Sequence, residues 1–312
     1  MALSVAGIEA VEEYSRHLKE RHDLSALTLR NYISDLRLFA AWCERSWSEG
    51  REEVHDFDPG AVTTPTLTEY RSHLRTVLGL KPATINRHLV SLKRYFGWAT
   101  EHGLVTRDPA RSVKLVPSVP KAPRHLDDRE EAALVAVVTR YGTPRDRALL
   151  VTALHTGLRA EELCGLKREH VAINKRSGIL RVWGKRGKYR EVPLNSTVRE
   201  VLTEYMEDCL PVGSPWLFPS KKGVVDADGG RTLVPITPRA LGYIVARYAK
   251  LAGVEDLSPH DLRHRFGYRM AQVVPLHRLA QIMGHDSLDT TTIYVKGTQS
   301  DLQQAVKEIA WA

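Results

Sequence analysis

A mainly α-helical protein of two domains, the second with a small β-hairpin or sheet, is the fold that this chain predicts. Three observations lead there. Apolar residues recur with a helical period over residues 4–115, a Pro-rich basic segment then interrupts the pattern, and after it only two short stretches alternate as strands do. The expected layout is a helical bundle at 1–115, a linker at 116–125 and an α+β domain at 126–312 closing in a tail helix at 299–311. A chain of 312 residues fits two domains on a prior of roughly 150 residues each.

Composition narrows the function classes. With 43% hydrophobic and 26% charged residues the chain has material for two packed cores and stays within the range of globular proteins. No apolar run approaches the roughly 18–20 residues of a membrane span, and the N-terminus turns acidic at Glu9 and lacks a signal-peptide pattern. Cys43, Cys164 and Cys209 are odd in number, widely spaced and free of any CxxC pattern, which disfavours a disulfide framework or a structural zinc site. Together these features fit a reducing cytoplasm. The net charge of +8 is unevenly placed: residues 1–70 hold 7 Lys/Arg against 13 Asp/Glu, whereas residues 71–114 hold 9 against 2. A basic surface that begins so abruptly suits a polyanion, because neutralised phosphates release counterions.

In the first domain, Ser25 precedes a stripe of Leu29, Ile33, Leu36, Ala40 and Cys43, and Leu67, Tyr70, Leu74 and Val77 form a second. Lys81-Pro82 sets a helix start. Ile85, Leu89, Leu92, Phe96 and Ala99 form its buried side, and Gly103 follows as a natural C-cap. Thr84, Arg87, His88, Ser91 and Arg94, with Lys81 beside them, lie along the other face. Such residues reach phosphates and base edges, so this face is the expected DNA-contacting surface.

The second domain opens with Asp127 or Asp128 as a helix cap, and Pro144 starts the next helix, which runs to Gly157. Arg159 follows that glycine turn with Glu162 three residues on, a spacing that can hold the guanidinium rigidly. Residues 179–183 and 189–194 read as strands around Gly184-Lys185-Arg186-Gly187-Lys188, a hairpin tip dense in cations. The tip is not a Walker A loop, since GxxxxGK[ST] is absent. A helix over 197–209, a Pro/Gly-rich stretch over 213–238 with a mobile GVVDADGG loop, and a helix around 241–251 complete the approach to residues 258–295. There His260 and Arg263, three apart, share a helix face; His264, His285 and Tyr294 follow. Histidines, an arginine and a lone tyrosine within such a span suit a site that handles an anion.

In order, TGLRAEEL, the GKRGK hairpin, HDLRH, MGH and TTTIY resemble the signatures of the tyrosine recombinase (phage integrase) family. TLRNYISDLRLF and the PATINRHLVSLKRYFGWATEHG helix resemble that family's SAM-like core-binding domain. In size and layout the chain is similar to the simple Xer-type members. The resemblance implies an α+β catalytic domain and a metal- and ATP-independent DNA strand transferase with no cofactor. It implies that Arg159, Lys185, His260, Arg263 and His285 are catalytic, with Tyr294 as nucleophile and Glu162 as acidic support. Lys188, on the same hairpin, stays an alternative to Lys185, and Arg186 joins them as a DNA contact. The partners implied are duplex DNA with specific sites and further copies of the chain, in a tetramer that exchanges C-terminal tails, in a nucleoid-associated cytoplasmic setting. Two rival readings remain. One is a metal hydrolase using His260, His264 and His285, although HExxH needs a glutamate where Asp261 stands and Arg263 would set a cation beside the metal. The other is a catalytically silent two-domain DNA-binding regulator, which has no use for Arg159, Lys185, Arg263 and Tyr294 together.

Overall fold

A computed structural model describes residues 3–20, 24–50, 55–117, 124, 126–184, 187, 189–225, 230–285 and 287–294. The chain divides into two compact units, Met1–Pro120 and Lys121–Ala312. No helix of the described residues is long and apolar enough to cross a membrane.

The N-terminal unit is built from α1 (Val5–Glu20), α2 (Ala26–Ser48), α3 (Thr64–Thr76) and α4 (Pro82–Glu101). Local chemistry sets the starts: the Ser25 hydroxyl accepts from the Thr28 N–H, and Pro82 occupies the first turn of α4, where its missing N–H costs nothing. Helix α4 buries Ile85, Leu89, Leu92, Tyr95, Phe96 and Trp98 against Phe39, Tyr70 and Tyr14. Burying each such side chain stabilises the unit by roughly 1.5–3 kcal/mol. Helix α3 ends one residue before Val77, so Val77, expected on the apolar stripe, is exposed. Val116, the expected first linker residue, is pinned to the Asn86 side chain by hydrogen bonds of 2.8 and 2.9 Å.

The polar face of α4 departs from expectation. His88 and Ser91, expected to contact DNA, are buried at 4% and 2% exposure. They turn inward because Asp35 of α2, itself fully buried, needs donors: Ser91 Oγ gives a 2.7 Å bond and Arg87 Nη1 lies 2.5–2.6 Å from both carboxylate oxygens. A buried carboxylate is costly without such partners. His88 lies beside the same carboxylate, with Nδ1 at 3.5 Å. Lys81 and Arg94 remain exposed and Thr84 half-buried. The expected contact set is therefore corrected by the loss of His88 and Ser91, and Arg87 is engaged with Asp35.

The second unit begins with α5 (Asp128–Tyr141), capped by Asp127 in a reciprocal pair with Glu130, then α6 (Pro144–Thr156) and α7 (Ala160–Cys164). An antiparallel sheet of order β1-β2-β3 follows: β1 (Val171–Ile173), β2 (Gly178–Trp183) and β3 (Tyr189–Pro193). Val182 stands opposite Arg190 and Trp183 opposite Tyr189. Strand β1 was not expected; three residues are too few to show an alternation. Next come α8 (Ser196–Asp208), the short pair β4 (Val224–Val225) and β5 (Arg231–Thr232), and α9 (Pro238–Leu251). The pair β4–β5 brackets part of the expected mobile loop, whose residues 226–229 lie outside the described residues. Helices α10 (Pro259–Ala271), α11 (Leu276–Met283) and α12 (Asp289–Thr292) end the described chain. The main core gathers Leu149, Leu163, Leu180, Leu202, Phe218, Leu241 and Leu262, and Phe266, Leu279, Met283 and Tyr294 form a satellite cluster. The expected tail helix at 299–311 lies outside the described residues.

Candidate active site

Helix α6 stops at Gly157, which adopts φ 61°. A Cβ there would come within 2.3 Å of the Phe266 ring, so only glycine makes this turn against α10. The turn delivers Arg159 to the N-cap of α7. Its backbone N–H donates to Glu162 Oε2 at 2.8 Å, its Nη1 to Glu162 Oε1 at 3.0 Å and its Nη2 to the Gly284 carbonyl at 2.8 Å. Burial alone pushes the Glu162 carboxyl up, but hydrogen bonds and charge from Arg190, and then Arg159, outweigh it and hold the group below its ordinary value.

Arg190, on β3, was not singled out in the sequence. It clamps Glu162 with both Nη groups, at 2.9 and 2.8 Å, and donates from Nε to the Ile282 carbonyl at 2.9 Å. Its only signal in the sequence was a position on the inward side of an alternating strand, which does not separate a site residue from an ordinary one.

Helix α10 carries the next group. Arg263 is 3% exposed and donates from Nη1 to the Gly157 carbonyl and from Nη2 to the Met283 carbonyl at 2.9 Å. A guanidinium has five N–H donors, so two carbonyls fix its orientation without exhausting it. Burial, followed by the charge of Arg159, pulls it down to about 10. His260 sits in the first turn with its ring edge-on to His264 at 4.3 Å. Desolvation and then Arg263 lower His260 from its ordinary value.

Gly284 ends α11 with φ 66° and sets His285 beside Thr291, with Nδ1 and Oγ1 sharing a 2.7 Å hydrogen bond. Burial first, then Arg263, Arg159 and Arg190, push His285 down to about 4. Tyr294 is 6% exposed, and its hydroxyl shares a 3.0 Å hydrogen bond with His264 Nδ1. Its ring lies over Gly267, where a Cβ would fall 2.6 Å away, and stacks near His285 at 6.2 Å. Burial pushes the phenol up to about 12 although Arg263 pulls the other way.

Arg159, Glu162, His260, Arg263, His264, His285 and Tyr294 are carried by α7, by the first half of α10, and by the residues that follow α11 and α12. His264 is the hydrogen-bond partner of the Tyr294 hydroxyl. Lys185, Arg186 and Lys188 lie outside the described residues, while neighbouring Gly184 lines a cavity of about 850 Å³ with Arg159, Arg190, Gly284 and His285. Arg159 and Arg190 line the cavity with Glu191, and with the nearby buried Arg263 three guanidiniums stand against the carboxylates of Glu162 and Glu191. The region therefore stays positive and can receive an anionic group and stabilise charge developing on it. Among the described residues no group of three His, Cys, Asp or Glu side chains is placed to hold a metal ion.

Residues 124–300 match the model of the phage integrase family, and residues 11–103 match that of the phage integrase N-terminal SAM-like domain. The tyrosine recombinase XerC of Xanthomonas campestris pv. campestris is 30% identical over 305 residues, covering 97% of this chain and 87% of its own. The XerC of Pelobacter propionicus is 32% identical over 294 residues, covering 92% and 90%. Among solved structures, XerH site-specific recombinase bound to a palindromic difH substrate superposes with a TM-score of 0.72 at 21% identity, covering 95% of this chain and 83% of that one. A lambda integrase dimer bound to a COC' core site gives 0.70 at 18% identity, covering 92% and 94%. These two likenesses concern the fold.

Proposed function

The chain belongs to the phage integrase family and is a tyrosine-type site-specific recombinase acting on DNA sites, and from that premise we propose that Tyr294 is its nucleophile. The hydroxyl attacks the scissile phosphate in line. A bond forms between Tyr294 Oη and phosphorus, the bond to the 5′ oxygen breaks, and the products are a 3′-phosphotyrosine and a free 5′-hydroxyl. One phosphoester replaces another, so the reverse attack by a 5′-hydroxyl of a second duplex rejoins the strands without ATP.

Arg159 and Arg263 clamp the nonbridging oxygens, and His285 adds a hydrogen bond. Lys185, with Lys188 as the alternative on the same hairpin, protonates the departing oxygen. A phenol held near 12 gives up its proton only to a nearby acceptor. The His264–His260 pair, of which His264 touches the hydroxyl and His260 is held toward its neutral form, supplies that acceptor. The observation that carries this reading is the convergence of Tyr294, His264, Arg263 and the Arg159–Glu162 pair on one cluster.

The partner is duplex DNA with specific recombination sites, met by the N-terminal unit through Lys81, Thr84 and Arg94 of α4 and by Arg186 and Lys188 of the hairpin. Exchange between two duplexes requires a tetramer. The apolar positions Leu302, Val306, Ile309 and Ala310 of the C-terminal tail suit its donation to a neighbouring protomer. The setting is the nucleoid of the cytoplasm. A nicked suicide duplex tests the chemistry: the wild type accumulates covalent complex and Tyr294→Phe accumulates none, whereas equal yields overturn the assignment. Truncation after Gln299 in the same assay should abolish synapsis; unchanged synapsis and cleavage would remove the tail from the proposal.

A further inference from the structure

The bonds around Glu162 close into a ring. Arg190 clamps the Glu162 carboxylate, Glu162 holds both the backbone N–H and Nη1 of Arg159, and Arg159 Nη2 reaches the Gly284 carbonyl. Two residues back along the same turn, the Ile282 carbonyl accepts from Arg190 Nε. The approach is close, since a Cβ on Gly284 would meet Arg190 Nη1 at 2.7 Å. Three elements that share no sequence proximity (the start of β3, the N-cap of α7 and the C-terminal turn of α11) are therefore locked by charge-assisted bonds.

The composition of the ring separates two roles that Arg190 can play. It lines the same cavity as Arg159 and His285, so its charge can act on a bound phosphate directly. Yet its side chain is only 11% exposed, each of its Nη groups donates to Glu162, and Nε donates to a carbonyl, so three bonds hold it to the protein. Arg159, by contrast, keeps a side chain 41% exposed. The geometry points to a division of labour between them.

We infer that Arg190 is a positioning residue for the strand-transfer reaction. By fixing Glu162 and the turn at Ile282–Gly284, it sets the aim of Arg159 and the seat of His285. Arg190 stands opposite Val182 on β2, which fixes its place in the sheet. The inference rests on the recombinase reading above.

The test follows covalent complex formation on the nicked suicide duplex, at saturating DNA, for the full chain. Arg190→Met should lower the cleavage rate by about 10²-fold, as a misplacement of about 1 Å does, with DNA affinity kept within about twofold. Arg190→Lys, which keeps the charge but cannot span two carboxylate oxygens and a carbonyl, should lose nearly as much. Replacing Arg190 in an Arg159→Lys background should cost clearly less than in the wild type, because the part of its effect that passes through Arg159 is already gone. Wild-type cleavage by Arg190→Met overturns the inference. So does recovery by Arg190→Lys, which assigns a direct charge contact, and so does a full additional loss in the Arg159→Lys background, which assigns a general structural role. Should Arg190→Met fail to bind DNA, Arg190→Lys and its Arg159→Lys double variant decide alone. If the wild type itself forms no covalent complex, the recombinase reading fails instead.

Discussion

Asp35 in the N-terminal unit and Glu162 in the catalytic unit are both buried carboxylates that capture arginine, yet they use it oppositely. Asp35 draws Arg87, Ser91 and His88 from successive turns of a single helix. It joins α2 to α4 and takes polar groups away from the surface. Glu162 draws Arg159 and Arg190 from two separate elements, and a third guanidinium, Arg263, stands near enough to feel both. Even with Glu191 lining the same cavity, two carboxylates do not neutralise three guanidiniums, so the catalytic unit keeps a cation excess there. Where donors match the carboxylate the pair is architecture; where they exceed it the surplus is available to an anion.

The sharpest way to break that contrast is to remove a cation from each side. Arg263→Ala should lower the rate of covalent complex formation by about 10²–10³-fold, since it deletes a preorganised donor aimed at developing charge. DNA affinity should change far less, because phosphates along the whole duplex supply the binding. A variant that cleaves at the wild-type rate would show that the surplus charge in this cavity is not used.

Arg87→Met is the matching change in the N-terminal unit. It leaves the Asp35 carboxylate buried with Ser91 as its remaining strong donor, so the unit should lose about 1–3 kcal/mol of stability in urea unfolding. Cleavage by protein already bound to DNA should be nearly unaffected. If instead affinity collapses while the urea midpoint stays put, Arg87 leaves Asp35 to meet DNA, and the two carboxylates are more alike than their contacts show.

This contrast also explains what could be read in the sequence. Local chemistry was legible: the Ser25 cap, Pro82 at the start of α4, Gly157 with its left-handed turn, and the Arg159–Glu162 pair all act within a few residues. The inward turn of His88 and Ser91 was not, because its cause, Asp35, lies more than fifty residues away on a different helix. Arg190 was hidden for the same reason, since a strand residue shows its face in the pattern but not the carboxylate it will meet. The bond of His264 to Tyr294 was hidden as well, because that partner is thirty residues on.

The histidines offer the finest discrimination between the two regions. Burial lowers both His88, against the pull of Asp35, and His285, which stands near 4 with three guanidiniums adding to the effect. In the unfolded chain both return to about 6.5. As pH falls below about 6.5, the unfolded chain takes up protons that the folded chain refuses, so stability is present above that value and is lost as pH drops toward His285's folded value near 4. Without DNA, the urea midpoint should therefore decline across this window, and more shallowly in His285→Gln. Bound DNA should separate the two residues. A scissile phosphate among Arg159, Arg263 and His285 offsets the guanidinium charge and raises the His285 value, whereas His88, enclosed with Asp35, has no phosphate to meet. Imidazole NMR titrations of the Tyr294→Phe protein, which binds without cleaving, should show an upward shift of His285 on adding the duplex and none of His88. Equal shifts at both would mean that DNA reaches the Asp35 site as well.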